Sequence, residues 1–239
     1  MTLRRVAGKP NAQYNVARPD SLAIRVTAMM RRRMYERFLS ESRLNPAETI
    51  IDVGVTSDRE YLASNYLEAW YPHKDKVTVA GLDDASFLEK EFPGLRFVFA
   101  NGKALPFAER SFDVVHSSAV IEHVGSCAEQ AKFIGELYRV ARRLVCITTP
   151  NRWFPVEVHT GVPVIHWLPA ERFRSALRTI GLAFFADEKN LNLLSTSELL
   201  KLCHGLGIRG ARVGRVRLGG WTSNLMLFLS KGGSNEWQP

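Results

Sequence analysis

The run Thr49-Ile50-Ile51-Asp52-Val53-Gly54-Val55-Thr56-Ser57-Asp58 constrains this chain more than any other stretch. Apolar β-branched residues surround one carboxylate, and a glycine then breaks the run into small polar residues. A helix is expected next, from about Arg59 to Trp70, with Tyr61, Leu62, Asn65, Tyr66 and Trp70 three and four apart. Strand, tight turn and helix in that order open an α/β sheet whose strand tips and helix N-termini can receive a polar cofactor. With Gly54 as its one glycine, the turn taken alone fits a structural connection as well as a cofactor loop.

At 239 residues the chain can bury one sizeable core, and its 46% hydrophobic and 23% charged content suits a globular protein. No apolar run approaches the roughly 18 to 20 residues that span a bilayer. Arg18, Asp20 and Arg25 interrupt the region where a signal peptide would carry its apolar core. Cys127, Cys146 and Cys203 form no C-x-x-C pair, which points to reduced thiols and a cytoplasmic location. Charge is unevenly placed. Residues 1 to 43 hold ten basic side chains against Asp20, Glu36 and Glu41, and Arg209, Arg212, Arg215 and Arg217 form a second strip. Such patches either attract an anionic substrate, nucleic acid or membrane surface, or form a solvated face.

Residues 1 to 20 lack a hydrophobic period and read as an arm. From Ser21 to about Ser42 apolar positions recur loosely at helical spacing, so one amphipathic helix or two short ones are expected. Residues 1–48 are read as an extension of the domain that occupies 49–239. Further strands are expected at Lys76 to Asp84, ending in carboxylates, and at Leu95 to Ala100, Ser111 to Ser118 and Leu144 to Thr149. Helices are expected from about Ala128 to Ala141, Ala170 to Gly181 and Glu198 to Leu206, the last opened by the Ser195-Thr196-Ser197-Glu198 capping box. Either Asp84 or Ser86 caps the helix after the second strand. Gly207 to Leu218 and Thr222 to Ser230 read as a terminal hairpin.

Asp52-Val53-Gly54, Asp83, Leu105-Pro106-Phe107, Ser111-Phe112-Asp113-Val114-Val115 and Ile121-Glu122-His123-Val124 come in a telling order. In order and spacing this set resembles class I S-adenosylmethionine (SAM)-dependent methyltransferases, in particular the type 11 branch of small-molecule and lipid enzymes. The resemblance runs from about Thr49 to Thr149. It implies an α/β fold: a doubly wound, seven-stranded Rossmann-like sheet with a C-terminal reversed β-hairpin and an N-terminal helical extension. It also implies roles. Gly54 would let the methionine part of SAM approach the backbone, with Asp52 near its amino group. Asp83 would hold the ribose hydroxyls, Asn101 would meet the adenine amino group, and Ser117 would lie along the methionine end.

Two departures from the resemblance stand out. Thr56 and Asp58 replace glycines, so the loop must take another path; Asp58 then pairs with the cofactor's positive charge or caps the next helix. Some relatives that methylate phenols bind a divalent ion through a Glu-x-x-Glu-His run. Here its first position is Ala119, and because Glu122 and His123 alone give too few ligands, no metal is expected.

A distinctive loop follows the fifth strand, containing Arg152, Trp153, Phe154, Glu157, His159, His166 and Trp167. A loop leaving the carboxyl end of a central strand overlies the substrate cleft. Glu157 and His159, two apart, share a face of an extended segment and could together remove a hydroxyl proton, with His123 as a second candidate base. Arg152, Trp153 and His166 are the candidate substrate contacts; the aromatic residues read equally as core. The reaction expected is methyl transfer from SAM to an oxygen, less readily a nitrogen, of a small-molecule, saccharide or lipid-linked acceptor. The basic arm suggests RNA as an alternative acceptor, and the glycine-poor loop suggests a cofactor-free scaffold.

Overall fold

The computed structural model describes residues 21–59 and 64–231. The expected arm, with any anionic surface it contacts, and the tail after Lys231 lie outside the described residues. Seven strands form one sheet: β1 Ile50–Val53, β2 Val77–Gly81, β3 Arg96–Phe99, β4 Phe112–Ser118, β5 Ala141–Pro150, β6 Ala211–Leu218 and β7 Trp221–Ser230. Their order is β3-β2-β1-β4-β5-β7-β6. The first five are parallel, and β7 runs antiparallel to both β5 and β6. The expected sheet and terminal hairpin are therefore present.

All four residues of β1 are buried, as a parallel strand covered on both faces requires. Alternation sends Ile51 and Val53 into one core with Phe133, Ile134 and Leu137 of helix α4 (Cys127–Val140) and Leu199 of α6 (Thr196–Gly205). Ile50 goes to the other face. There it meets Met30, Met34 and Phe38 of α1 (Leu22–Ser42), Tyr66 and Leu67 of α2 (Tyr66–Trp70) and Leu88 of α3 (Phe87–Glu91). Asp52, on the same face as Ile50, is the polar exception. A third, smaller cluster built around α5 (Ala170–Thr179) lies in the long segment between β5 and α6. Ser195 and Glu198 form the expected capping box. No described helix is long and apolar enough to cross a membrane.

Two expectations need correction. Of the helix expected from Arg59 to Trp70, the described residues form Tyr66–Trp70; positions 60–63 lie outside the described residues, and Asn65 turns back to bond Thr56 instead of extending a helix. Part of the basic face is structural. Arg33 and Arg37 of α1 donate to the Arg217 and Arg215 carbonyls of β6 at 2.8 and 2.9 Å, and Arg212 pairs with Glu41. These guanidiniums tie α1 to the outermost strand, which leaves fewer of them to meet an anion.

Asp113 ties the edge of the β1–β4 pair. Its carboxylate accepts from the Thr49 N–H and hydroxyl at 2.9 and 2.8 Å and from Arg142 at 2.8 Å. Burial alone would raise this carboxyl, but the Thr49 amide, Arg142 and the Thr49 hydroxyl outweigh it and hold the pKa down to about 2. An acid whose folded pKa lies below its unfolded value stabilises above that unfolded value and loses the contribution as pH falls through the folded one. Asp113→Asn is therefore expected to cost about 2 kcal/mol at neutral pH, with the gap shrinking from about pH 4 downward through about pH 2. Urea unfolding of both proteins across that range checks it, and a gap that ignores pH would remove the charge from the account.

Candidate functional site

The tip of β1 turns at Gly54, whose φ of +101° suits glycine and whose backbone is exposed. A Cβ there would lie 2.2 Å from Val120 Cγ2, so a side chain at this position would meet the β4 loop directly. Neither Thr56 nor Asp58 adopts a positive φ, so the loop has found a path that L-residues accept where the resemblance has glycines. Asn65 closes it by accepting from the Thr56 N–H and donating to the Thr56 carbonyl. Asp58 is half-buried, with its N–H donating to the Thr56 hydroxyl. Arg31 of α1 reaches the same place. Burial lowers its pKa, offset in part by Tyr66 and Asp58.

Asp52 is 7% exposed and turned into a buried network. His116 Nδ1 lies 2.8 Å from Asp52 Oδ1, and His116 Nε2 lies 3.0 Å from the Tyr66 hydroxyl. With the proton on Nδ1, His116 donates to Asp52 and accepts from Tyr66, whose own pKa burial drives far upward. Glu68 of α2 completes the set. Burial first, then the charge of Asp52 and a hydrogen bond with it, push the Glu68 carboxyl well above the usual range. Neither Glu68 oxygen meets a hydrogen-bond donor, so burial and the Asp52 charge favour the protonated Glu68 carboxyl. Ser117 is also fully buried, and its hydroxyl donates to the Val53 carbonyl at 2.7 Å. Instead of lining the cleft as expected, it pins β4 to β1.

At the tips of β2 and β3, Asp83 is half-buried and burial raises its pKa. Asp84 accepts from the Ser86 N–H, which settles its role as a turn residue. Asn101 is exposed, with one lone pair of its Oδ1 engaged by the Lys103 N–H at 2.9 Å. Between them lie Leu82 and Phe99, 62% and 66% exposed, apolar side chains that sequence reasoning passed over. Their signal was available: Phe99 ends β3 and Leu82 stands one residue past β2, where burial of an apolar side chain would be the default.

The second polar cluster lies beyond the carboxyl ends of β4 and β5. A 3-10 turn at Ile121–His123 follows β4, and Glu122 is fully buried, its Oε2 accepting from the Thr149 hydroxyl at 3.0 Å. His159 comes from the loop after β5. Here the extended segment expected for Glu157 and His159 is in fact a turn: Glu157 is buried and accepts from the backbone N–H groups of His159 and Thr160 at 3.0 and 2.7 Å. That turn brings His159 Nδ1 to 2.7 Å from Glu157 Oε1. His159 Nε2 lies 3.1 Å from His123 Nε2, and His123 Nδ1 lies 2.6 Å from the Asn190 carbonyl. Glu122 Oε1 lies 3.9 Å from both Nε2 atoms.

The electrostatics are mutual. Burial opposes the charge on His159, but the hydrogen bond and charge of Glu157, with Glu122 behind, raise its pKa. Burial likewise opposes the charge on Glu157, yet His159 and the Thr160 contact hold its carboxyl down to about 2. Burial and the His159 charge push His123 down to about 3. Burial raises Glu122, with His159 offsetting part of the shift.

The substrate contacts expected in this loop are not brought together. Trp153 is 49% exposed. His166 is buried, with Nε2 2.7 Å from the Phe154 carbonyl, so it holds the loop's shape. Arg152 donates to the Leu168 carbonyl at 3.1 Å and pairs with Glu198 at 3.4 Å.

Residues 61–144 match the family described as a methyltransferase domain. That match to a methyltransferase domain lies on a β3-β2-β1-β4-β5-β7-β6 sheet, which is the class I methyltransferase fold. Among solved structures, the chain is similar to a SAM-dependent methyltransferase from Aquifex aeolicus, with 18% identity over 82% of this chain and 88% of that one at a TM-score of 0.52. It is also similar to magnesium protoporphyrin IX methyltransferase from Synechocystis with bound SAH, at 14% identity, 92% and 91% coverage and a TM-score of 0.55. A putative methyltransferase from Bacillus halodurans matches at 13% identity, 83% and 98% coverage and a TM-score of 0.53. At such identities the likeness is one of fold. No curated protein sequence matches the chain.

A carboxyl that is neutral when folded and ionised when unfolded makes stability fall as pH rises above its unfolded pKa of about 4.3. Glu68→Gln keeps the shape and still donates to Asp52. It is expected to gain stability relative to wild type as pH rises from about 4 to about 7. Chemical denaturation at several pH values tests this, and a gap that moves the other way would mean that Glu68 is buried ionised.

Proposed function

We propose that this methyltransferase acts on a hydroxyl oxygen of a small-molecule, saccharide or lipid-linked acceptor, and that the cluster of Glu122, His123, Glu157 and His159 manages the acceptor's proton. The observation that carries this reading is the pair of buried Glu157 and part-buried His159, at 2.7 Å, placed over the ends of β4 and β5 with His159 Nε2 3.9 Å from buried Glu122. In open α/β sheets this is the side on which ligands bind.

The residues at the neighbouring strand tips fit the cofactor. An exposed Gly54 backbone gives close approach, Asp83 suits a ribose diol, and Leu82 and Phe99 offer apolar surface to a purine beside Asn101. Asp58 and Arg31 supply opposite charges for the ends of an amino acid moiety. Asp52 is better read as the buried support of this loop, since His116 and Glu68 occupy its carboxylate. SAM, when bound, supplies a methyl group already activated by its sulfonium. The chain's own task is then to orient the acceptor, exclude water and take one proton. Glu157 fixes the His159 ring and raises its basicity, and His123 is placed to relay the proton. Trp153 offers an exposed apolar surface nearby, while Arg152 and His166 position the loop. The involvement of Arg33, Arg37 and Arg212 in internal contacts weakens the case for RNA as the acceptor.

His159→Ala is expected to lower turnover by about a hundredfold or more while leaving the SAM dissociation constant within about threefold. Turnover that survives the substitution would take the cluster out of the reaction. Asp83→Ala should do the opposite, weakening SAM by at least about tenfold in calorimetry. Unchanged affinity would move the ribose elsewhere.

A further inference from the structure

We propose that Glu122, His123 and His159 bind a divalent first-row metal ion, with zinc the best match. Among the described residues these three form the group of His, Cys, Asp and Glu side chains whose ligand atoms lie within 4.8 Å of one another. The distances suit an ion. Two Nε2 atoms 3.1 Å apart and a carboxylate oxygen 3.9 Å from each define a triangle. The point equidistant from its corners lies about 2.1 Å from all three, the length of Zn–N and Zn–O bonds.

The surroundings independently point to a cation. His159 commits Nδ1–H to Glu157, and His123 commits Nδ1–H to the Asn190 carbonyl. Both Nε2 lone pairs therefore face each other at 3.1 Å, an arrangement that repels unless a proton or a metal ion lies between them. Glu122 adds a fully buried Oε1 that meets no hydrogen-bond donor, while its Oε2 is held by Thr149. A buried carboxylate oxygen without a donor is costly, and an ion removes that cost. Every ligand is oriented by a partner on its far atom, as histidines and carboxylates are around bound metals. Counting only Glu122 and His123 had argued against a metal. The tertiary structure supplies the missing ligand from a loop 36 residues further along the chain.

Three protein ligands leave one or more positions open, as in catalytic zinc sites. An acceptor hydroxyl entering there would be polarised and would lose its proton more readily. This use of the ion rests on the hydroxyl-acceptor reading above but takes the place of the His159 base, whose Nε2 becomes a ligand; the ion's binding rests on neither.

The test uses the full chain, stripped with a chelator and dialysed, and titrated calorimetrically with zinc, manganese or magnesium chloride. Cobalt(II) serves as a spectroscopic probe. One zinc ion per chain is expected, with a cobalt spectrum of low coordination number. Glu122→Gln, His123→Ala and His159→Ala should each weaken zinc at least about tenfold, and Glu157→Gln by about ten- to a hundredfold through the ring it orients. His204→Ala, on the exposed side of α6, is the control and should bind like wild type. Circular dichroism of each metal-free variant establishes that it is folded. A folded wild type that binds none of these ions at millimolar concentration overturns the proposal, as does zinc affinity unchanged in His159→Ala. Chelator-insensitive turnover that His159→Ala abolishes would sink the ion and keep the imidazole base. Stoichiometric zinc without turnover of any hydroxyl acceptor would keep the ion and sink the acceptor.

Discussion

A carboxylate at the end of a strand covered on both faces cannot remain there alone, and much of the polar architecture of this protein follows from that constraint. Asp52 is withdrawn from water on the α1–α2 face, where an isolated charge would be very costly. His116 arrives from β4 in register beside it, Tyr66 satisfies the other side of that ring, and Glu68 contributes a retained proton. Two strands and a short helix are thereby locked together directly beneath the loop at Gly54. A rigid support of this kind lets a glycine-poor loop hold its shape.

The second cluster obeys the same physics at the ends of β4 and β5. Glu157 can be buried and ionised because two backbone N–H groups and one imidazole point at it. Glu122 is only half satisfied, and that incompleteness is informative. Buried polar groups in native structures are nearly always paired. A carboxylate oxygen facing two imidazole lone pairs is a place where a positive charge belongs, whether a proton or a metal ion. The two networks divide the carboxyl edge of the sheet: one supports the loop at Gly54, and the other lies at the ends of β4 and β5.

Charge illustrates how composition misleads when read without neighbours. The arginines of α1 and β6 look like an anion-binding face in the sequence, yet Arg33 and Arg37 lie against strand carbonyls and Arg212 against Glu41. The loop after β5 misleads in the other direction. Arg152 and His166 have the chemistry of substrate contacts, but they hold their own loop in shape, because irregular backbone between two elements must find hydrogen-bond partners for its own carbonyls.

The order of apolar runs, the Asp52-Val53-Gly54 turn, the Ser195 capping box and the glycine-linked final hairpin determined the sheet, because periodicity and turn chemistry are local properties. The short reach of α2 was less legible: Asn65 continues a helical pattern on paper, but in space it closes the loop at Thr56. What only the tertiary structure decided was which polar groups meet. His123 and His159 come from different loops, and Glu68 faces Asp52 across the core; such encounters depend on packing between distant segments. No spacing in the chain encodes the 3.1 Å between two ring nitrogens.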